Sequence, residues 1–214
     1  MQIRMGIEYK KELKPGTLAG IWKINEDYEY LIELYKPDKQ ERQILENFSS
    51  QSRKLEWLAT RTLLNELSSK VLKIMYHSTG KPYLLNDELN ISISHTQGYV
   101  AVLISTCEST GIDIEPVSRR VTKIAKRFLS DDEQKYISNS QNGLLALIYW
   151  CAKEVLVKIN GDRTLDFTKC LRIQTINQEN DLYFTGRIQT DNFGQDFIIR
   201  HFIFNNHLVV WSAD

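Results

Sequence analysis

The sequence predicts an α+β fold, with strands and helices in separate blocks rather than a regular strand–helix–strand repeat. Three observations carry this. Residues 50–69 and 143–159 place apolar side chains at helical spacing. Short apolar or alternating runs at 91–94, 99–105 and 111–115 read as strands. Residues 170–213 alternate apolar and polar side chains between polar turns, the pattern of a β-meander. The order strands, helices, strands, helix, strands fits α+β, with a second lobe beginning near residue 109.

The opening segment to about Leu34 mixes Gly16, Gly20 and aromatic residues and is expected to form short strands and turns. Pro37 precedes a helical stretch, Asp38 to Phe48. Ser49 or Ser50 stands where a second helix needs its N-cap. That helix runs to about Ser69, with Leu55, Leu58, Ala59, Leu63 and Leu67 as its apolar stripe. Gly80-Lys81-Pro82 marks a loop. Ile91-Ser92-Ile93-Ser94 alternates like a half-buried strand, and the continuous run Tyr99 to Ser105 suits a central one. The short turn Cys107 to Thr110 is expected to join that run to Gly111–Glu115 as a hairpin, closed by Pro116. Val121, Ile124, Ala125 and Phe128 mark one helix face, ringed by Arg119, Arg120, Lys123, Lys126 and Arg127. Ser130-Asp131-Asp132-Glu133 has capping-box spacing. A strong helix from Gly143 to about Ile159 ends at Asn160-Gly161. Turns at Asn177–Asn180, Asp191–Gly194 and Asn205-Asn206 divide the final strands.

At 214 residues the chain can bury a real core, and 42% apolar with 25% charged residues is ordinary for a globular protein. Lysine plus arginine equals aspartate plus glutamate at 27 each, so no global field draws in nucleic acid or an anionic membrane. The three cysteines, Cys107, Cys151 and Cys170, lack paired spacing and read as free thiols in a reducing compartment. The opening MQIRMGIEYK lacks the apolar stretch of a signal peptide, and the run Leu144 to Ala152 is too short to span a bilayer. A cytoplasmic location is expected.

Four constellations can carry chemistry. Asp113 and Glu115 lie two apart on a strand, so both carboxylates share one face, with Ile112 and Ile114 expected to point into the core. Adjacent carboxylates repel unless a cation sits between them, and hard oxygen ligands suit Mg²⁺ or Ca²⁺. The plain alternative is an exposed polar edge. Trp150, Glu154 and Lys158 follow at i, i+4 and i+8 on one helix stripe, opposite Leu144, Ile148, Cys151, Val155 and Ile159. The plain reading there is a surface pair worth about 0.2–0.5 kcal/mol. Beside a two-carboxylate strand, however, a third carboxylate and an amine are what a Mg²⁺-assisted phosphoryl-type transfer needs. Ser94-His95 ends a strand beside Thr96-Gln97-Gly98 and can contact phosphate oxygens, or is a half-buried structural histidine. Arg53, Trp57 and Arg61 sit at i, i+4 and i+8, two guanidinium groups around an indole that can hold phosphate, or a solvated face with a core tryptophan. Lys81 is a lone base on a rigid turn. His77, His201 and His207 read as structural or surface residues.

Taken in order, these stretches resemble the 4′-phosphopantetheinyl transferases of the two-lobed, single-chain type. The matching segments are Gly80-Lys81-Pro82, Ser92-Ile93-Ser94-His95, Gly111-Ile112-Asp113-Ile114-Glu115 and Trp150-Cys151-Ala152-Lys153-Glu154-Val155-Leu156-Val157-Lys158. The helix Lys54–Ala59 with Arg61, and Arg127-Phe128-Leu129-Ser130 followed by Glu133, are also similar to the family's. The likeness covers roughly residues 50 to 160. Val155 replaces a small residue common in the family and Thr96 a frequent serine; neither change removes a ligand.

The resemblance implies a pseudo-dimer of two similar α+β lobes, 1–108 and 109–214, with the active site at their interface. It implies transfer of the phosphopantetheine arm of coenzyme A to a serine of an apo carrier protein, releasing 3′,5′-ADP. Asp113, Glu115 and Glu154 match the family's Mg²⁺ ligands, and Lys158 the lysine that steadies the leaving phosphate. Glu154 is the expected base, directly or through a metal-bound water. Arg53, Arg61, Lys81, Ser94 and His95 match positions that grip coenzyme A, the first lobe holding the donor's share. A monomer is expected, with an acyl or peptidyl carrier from fatty-acid, polyketide or peptide-synthetase systems as partner. The basic helix Arg119–Arg127 is expected to help dock an acidic carrier. A non-catalytic coenzyme A-binding module and a Mg²⁺-dependent hydrolase are the rival readings.

Overall fold

The structure, a computed structural model, describes residues 6–140, 143–176, 183–191 and 193–214. The first five residues of the opening segment, the turn at 177–180 and Asn192 of the turn at 191–194 lie outside these. The elements form two compact units, one comprising residues up to Tyr76 with Pro82–Thr106, the other His77–Lys81 with Cys107–Asp214. Both mix helix with antiparallel sheet, so the fold class is α+β.

In the first unit, β1 (Ile7–Lys14) and β2 (Thr17–Lys23) form a hairpin. Three helices follow: α1 (Tyr28–Tyr35), α2 (Lys39–Glu46) and α3 (Gln51–Ser68). A small hairpin of β3 (Ile74–Tyr76) and β4 (Pro82–Leu84) precedes β5 (Asn90–Thr96) and β6 (Tyr99–Ser105). The main sheet has the order β1-β2-β6-β5. The apolar run of β6 takes an interior place, as a strand covered on both faces should. Helix α3 packs on β2 and β6, and its Leu58, Leu63 and Leu64 are fully buried in one core with Val100 and Val102 of β6.

The second unit begins with β7 (Thr110–Pro116) and a 3₁₀ helix, Thr122–Arg127. Then come α4 (Asp131–Ser140), α5 (Gly143–Asn160), β8 (Leu171–Ile173), β9 (Tyr183–Thr190), β10 (Phe193–Phe204) and β11 (His207–Ala213). Strands β8 to β11 form the expected meander, and β7 adds at its far edge in the order β7-β11-β10-β9-β8. The capping box at α4 is present: Ser130 N–H donates to Glu133 Oε2 at 2.8 Å, and Glu133 N–H to Ser130 Oγ at 3.4 Å. Helix α5 stops at Gly161, whose φ of +84° suits glycine and whose N–H closes on Val157 O at 2.8 Å. Ile148, Cys151, Val155, Leu156 and Ile159 bury one side of α5 in a core shared with Leu208 and Val210. No helix among the described residues is long and apolar enough to cross a membrane.

Three expectations need correction. β6 and β7 are not a hairpin: β6 pairs with β2 and β5, whereas β7 pairs with β11. Both runs are apolar enough to be buried, and closeness in sequence does not say which partner covers each. The end of the opening segment, expected to form short strands and turns because of its glycines and aromatic residues, is instead the helix Tyr28–Tyr35. Asp27 caps it by accepting from Tyr30 N–H at 2.8 Å, and Leu31 is fully buried. The helix expected around Val121–Phe128 is a 3₁₀ helix with its basic residues exposed.

Candidate functional site

Strand β7 alternates, so Gly111, Asp113 and Glu115 share one face and Ile112 and Ile114 the other. The carboxylate face is the one covered by α5. Val210 and Leu208, the cross-strand partners of Asp113 and Glu115, belong to the core around α5, and Ile112 and Ile114, fully buried, do not. The expectation that the isoleucines alone point inward is therefore reversed for this helix, and the carboxylates form no exposed edge. Asp113 is 5% and Glu115 8% exposed. Gly111 permits the close approach: a Cβ there would stand 2.9 Å from both the Val155 carbonyl and its Cγ1.

The polar stripe of α5 meets this face. Lys158 Nζ donates to Asp113 Oδ1 at 2.8 Å and to Ile112 O at 2.7 Å. Arg119, on the turn after β7, pairs with Glu115. Burial raises the Glu115 carboxyl above its ordinary value; Arg119 opposes this and Asp113 adds to it. Burial likewise raises Glu154, with Asp113 next and Glu115 also contributing. The Cys151 thiol lies on the same helix, driven well above its ordinary pKa by burial and then by Asp113. Three carboxylates thus feel one another across one strand and one helix.

Among the described residues no three His, Cys, Asp or Glu side chains converge as a metal-binding group. Asp113 instead faces Lys158 and Glu115 faces Arg119. The donor set nevertheless fits a hard divalent cation, because it offers carboxylate oxygens only, and such an ion offsets both the burial and the mutual repulsion that raise Glu115 and Glu154.

A buried network fixes the helix. Lys153, fully buried, donates to Phe128 O at 2.7 Å, Phe167 O at 2.9 Å and Glu133 Oε2 at 2.7 Å. Glu133 Oε1 in turn accepts from Ile173 N–H at 2.9 Å. Burial lowers the Lys153 pKa, and Glu133 opposes the shift. This pair carried a sequence signal only in part: Glu133 completes a capping box, but nothing pointed to its second partner twenty residues on. Arg119 carried none, because its approach to Glu115 depends on an irregular turn.

The other expected residues fall elsewhere. Lys81 bonds Ile159 O at the C-terminal end of α5, and burial lowers its pKa. In the first unit, Arg53 Nη1 lies 2.7 Å from His95 Nε2 and 3.0 Å from Glu56 Oε2 on the surface. Ser94 is buried at 6% exposure. Arg61 differs from Arg53 in exposure. It is 3% exposed, stacked 3.4 Å from the Trp57 ring centroid, with Nε 3.9 Å from Glu41 Oε1. The helical spacing was right; the burial of one turn could not be read from it.

Comparison with known proteins bears on the second unit most. Residues 109–204 match the model of the 4′-phosphopantetheinyl transferase superfamily. A putative 4′-phosphopantetheinyl transferase of Haemophilus influenzae is 30% identical over 118 residues, 47% of this chain and 50% of that protein. The 4′-phosphopantetheinyl transferase gsp of Aneurinibacillus migulanus is 30% identical over 111 residues, 50% of this chain and 46% of that protein. The chain spans about half the length of the curated relatives it matches. Residues 109–204, which carry the strand of Asp113 and Glu115 and the helix of Glu154 and Lys158, are thus the part of the chain similar to the 4′-phosphopantetheinyl transferase superfamily.

Proposed function

We propose that this chain transfers the 4′-phosphopantetheine arm of coenzyme A to a serine of an apo carrier protein, with Mg²⁺, releasing 3′,5′-ADP. The observation that carries the reading is the placement of Asp113, Glu115, Glu154 and Lys158 on facing elements within the segment similar to that family. Mg²⁺ held by Asp113, Glu115 and Glu154 would supply the positive charge that neutralises the pyrophosphate. Glu154, on the helix that faces the Asp113 strand, takes the proton of the acceptor serine. The serine oxygen attacks the phosphorus bearing the pantetheine arm, the bond to the bridging oxygen breaks, and 3′,5′-ADP leaves with that electron pair. Lys158 Nζ, already anchored on Ile112 O, offsets the charge growing on the leaving phosphate.

Arg53, Arg61, Lys81, Ser94 and His95 are the candidates for the donor's phosphates. Arg53 and His95 are mutually placed and solvent-accessible, which suits them best, whereas Arg61 and Ser94 are buried. The exposed bases Arg120, Lys123 and Lys126 are the proposed contact for an acidic carrier. The thiols Cys107, Cys151 and Cys170, none of them in a disulfide among the described residues, suit a reducing compartment such as the cytoplasm. Intact-mass analysis of apo carriers after incubation with coenzyme A and Mg²⁺ tests the proposal. It expects a gain of one phosphopantetheine on the carrier and matching 3′,5′-ADP. Free phosphopantetheine with no gain on any carrier would replace the transferase by a hydrolase.

A further inference from the structure

Arg119 occupies a place that the chemistry above does not use. The turn after β7 closes through Arg119 N–H to Pro116 O at 2.8 Å, and Val117 N–H to Asn206 O at 2.9 Å ties it to the β10–β11 turn. This fold-back sets the guanidinium against Glu115 and 5.5 Å from the centroid of the Trp150 ring. Trp150 lies one turn before Glu154 on α5 and is itself held between Phe128, edge-on at 5.2 Å, and Phe167, stacked at 5.9 Å. The arginine therefore rests between a carboxylate and a fixed aromatic face, not in free solution.

Two cations balance the carboxylates here, and they differ in how readily each can leave. Lys158 is 25% exposed and holds a backbone carbonyl as well as Asp113. The Arg119 side chain is 41% exposed, and both its contacts can be exchanged for water.

We propose that Arg119 is a built-in counter-ion of Glu115 that competes with the divalent cation for this carboxylate and so sets the metal affinity of the site. The inference rests on the metal-site reading above. With Arg119 in place, Glu115 faces the guanidinium and the three carboxylates do not converge, which is the arrangement observed. When the arginine swings out, Glu115 regains its oxygens as ligands. The coupling is reciprocal: the factor by which Arg119 weakens metal binding is the factor by which metal weakens the Arg119–Glu115 pair.

Direct Mn²⁺ binding to the full chain, followed by the electron paramagnetic resonance signal of free Mn²⁺ without coenzyme A or carrier, tests this. Arg119→Gln is expected to bind Mn²⁺ roughly 3- to 30-fold more tightly than the wild type, between the scale of an exposed ion pair and that of a charge-assisted hydrogen bond, because the arginine is partly screened by solvent. Arg120→Gln removes the same charge from the neighbouring exposed position and should leave the affinity unchanged. Equal or weaker binding by Arg119→Gln overturns the inference while leaving the metal site standing. So does a tightening matched by Arg120→Gln, which would make the effect one of bulk charge. If neither the wild type nor Arg119→Gln binds Mn²⁺, the metal reading falls and the inference with it.

Discussion

Glu154 is where stability and chemistry pull against each other. Burial and Asp113 hold its pKa above the ordinary 4.5, so the protonated form favours the folded chain. That contribution is complete below the ordinary value and is lost as pH rises through the raised one. Metal-free Glu154→Gln should accordingly melt at a higher temperature than the wild type at pH 7, and the difference should close as pH falls toward 4.5. Thermal melts in the presence of a chelator, at several pH values, check this; a pH-independent difference would contradict it. The identity of this residue, with Asp113, Glu115 and Lys158, was legible in the sequence because strand and helix periods dictate which side chains share a face. Which face the core takes was not legible, since Asp113 and Glu115 are buried beneath α5 and paired there with Lys158 and Arg119.

Helix α5 carries Glu154 and Lys158, and the neighbouring Lys153 anchors it. Lys153 gathers the end of the 3₁₀ helix, the cap of α4 and the loop through Phe167 onto one ammonium group. Lys153→Met leaves Glu133 buried without its cation, and should destabilise the chain by about 3–5 kcal/mol. Urea unfolding monitored by circular dichroism measures this. A loss under about 1 kcal/mol, the scale of an exposed pair, would show that the network contributes little. At this scale α3, α5 and the terminal meander were legible, because long periodic segments and polar turns identify themselves. The β6–β7 hairpin was misread since pairing depends on partners distant in sequence: β11 for β7 and β2 for β6. Helix α1 was missed because Tyr28, Tyr30 and Ile32 favour strands locally, whereas the Asp27 cap and the burial of Leu31 decide the matter.

For the whole molecule, 27 basic and 27 acidic residues leave no net charge, so any electrostatic steering of a partner must come from local patches. The exposed bases of the segment 119–127 are such a patch. Reversing Arg120, Lys123 and Lys126 together should raise KM for an acidic carrier roughly tenfold and remove most of its salt dependence. KM for coenzyme A should stay as it was. Steady-state kinetics at low and high salt decide it, and an unchanged carrier KM would remove this surface from the account. Helix and sheet content, and the stretch resembling a known family, were legible at this scale, because motif order survives where single motifs are weak. The burial of Arg61 was not, since one helical turn looks like another until its packing is known. The most direct test of the central claim is the intact mass of an apo carrier after incubation with coenzyme A and Mg²⁺, run beside Glu154→Gln and a chelator-treated control. The account predicts a gain of one phosphopantetheine with the wild type and none in either control. An unmodified carrier with the wild type, or equal modification by Glu154→Gln, would contradict it.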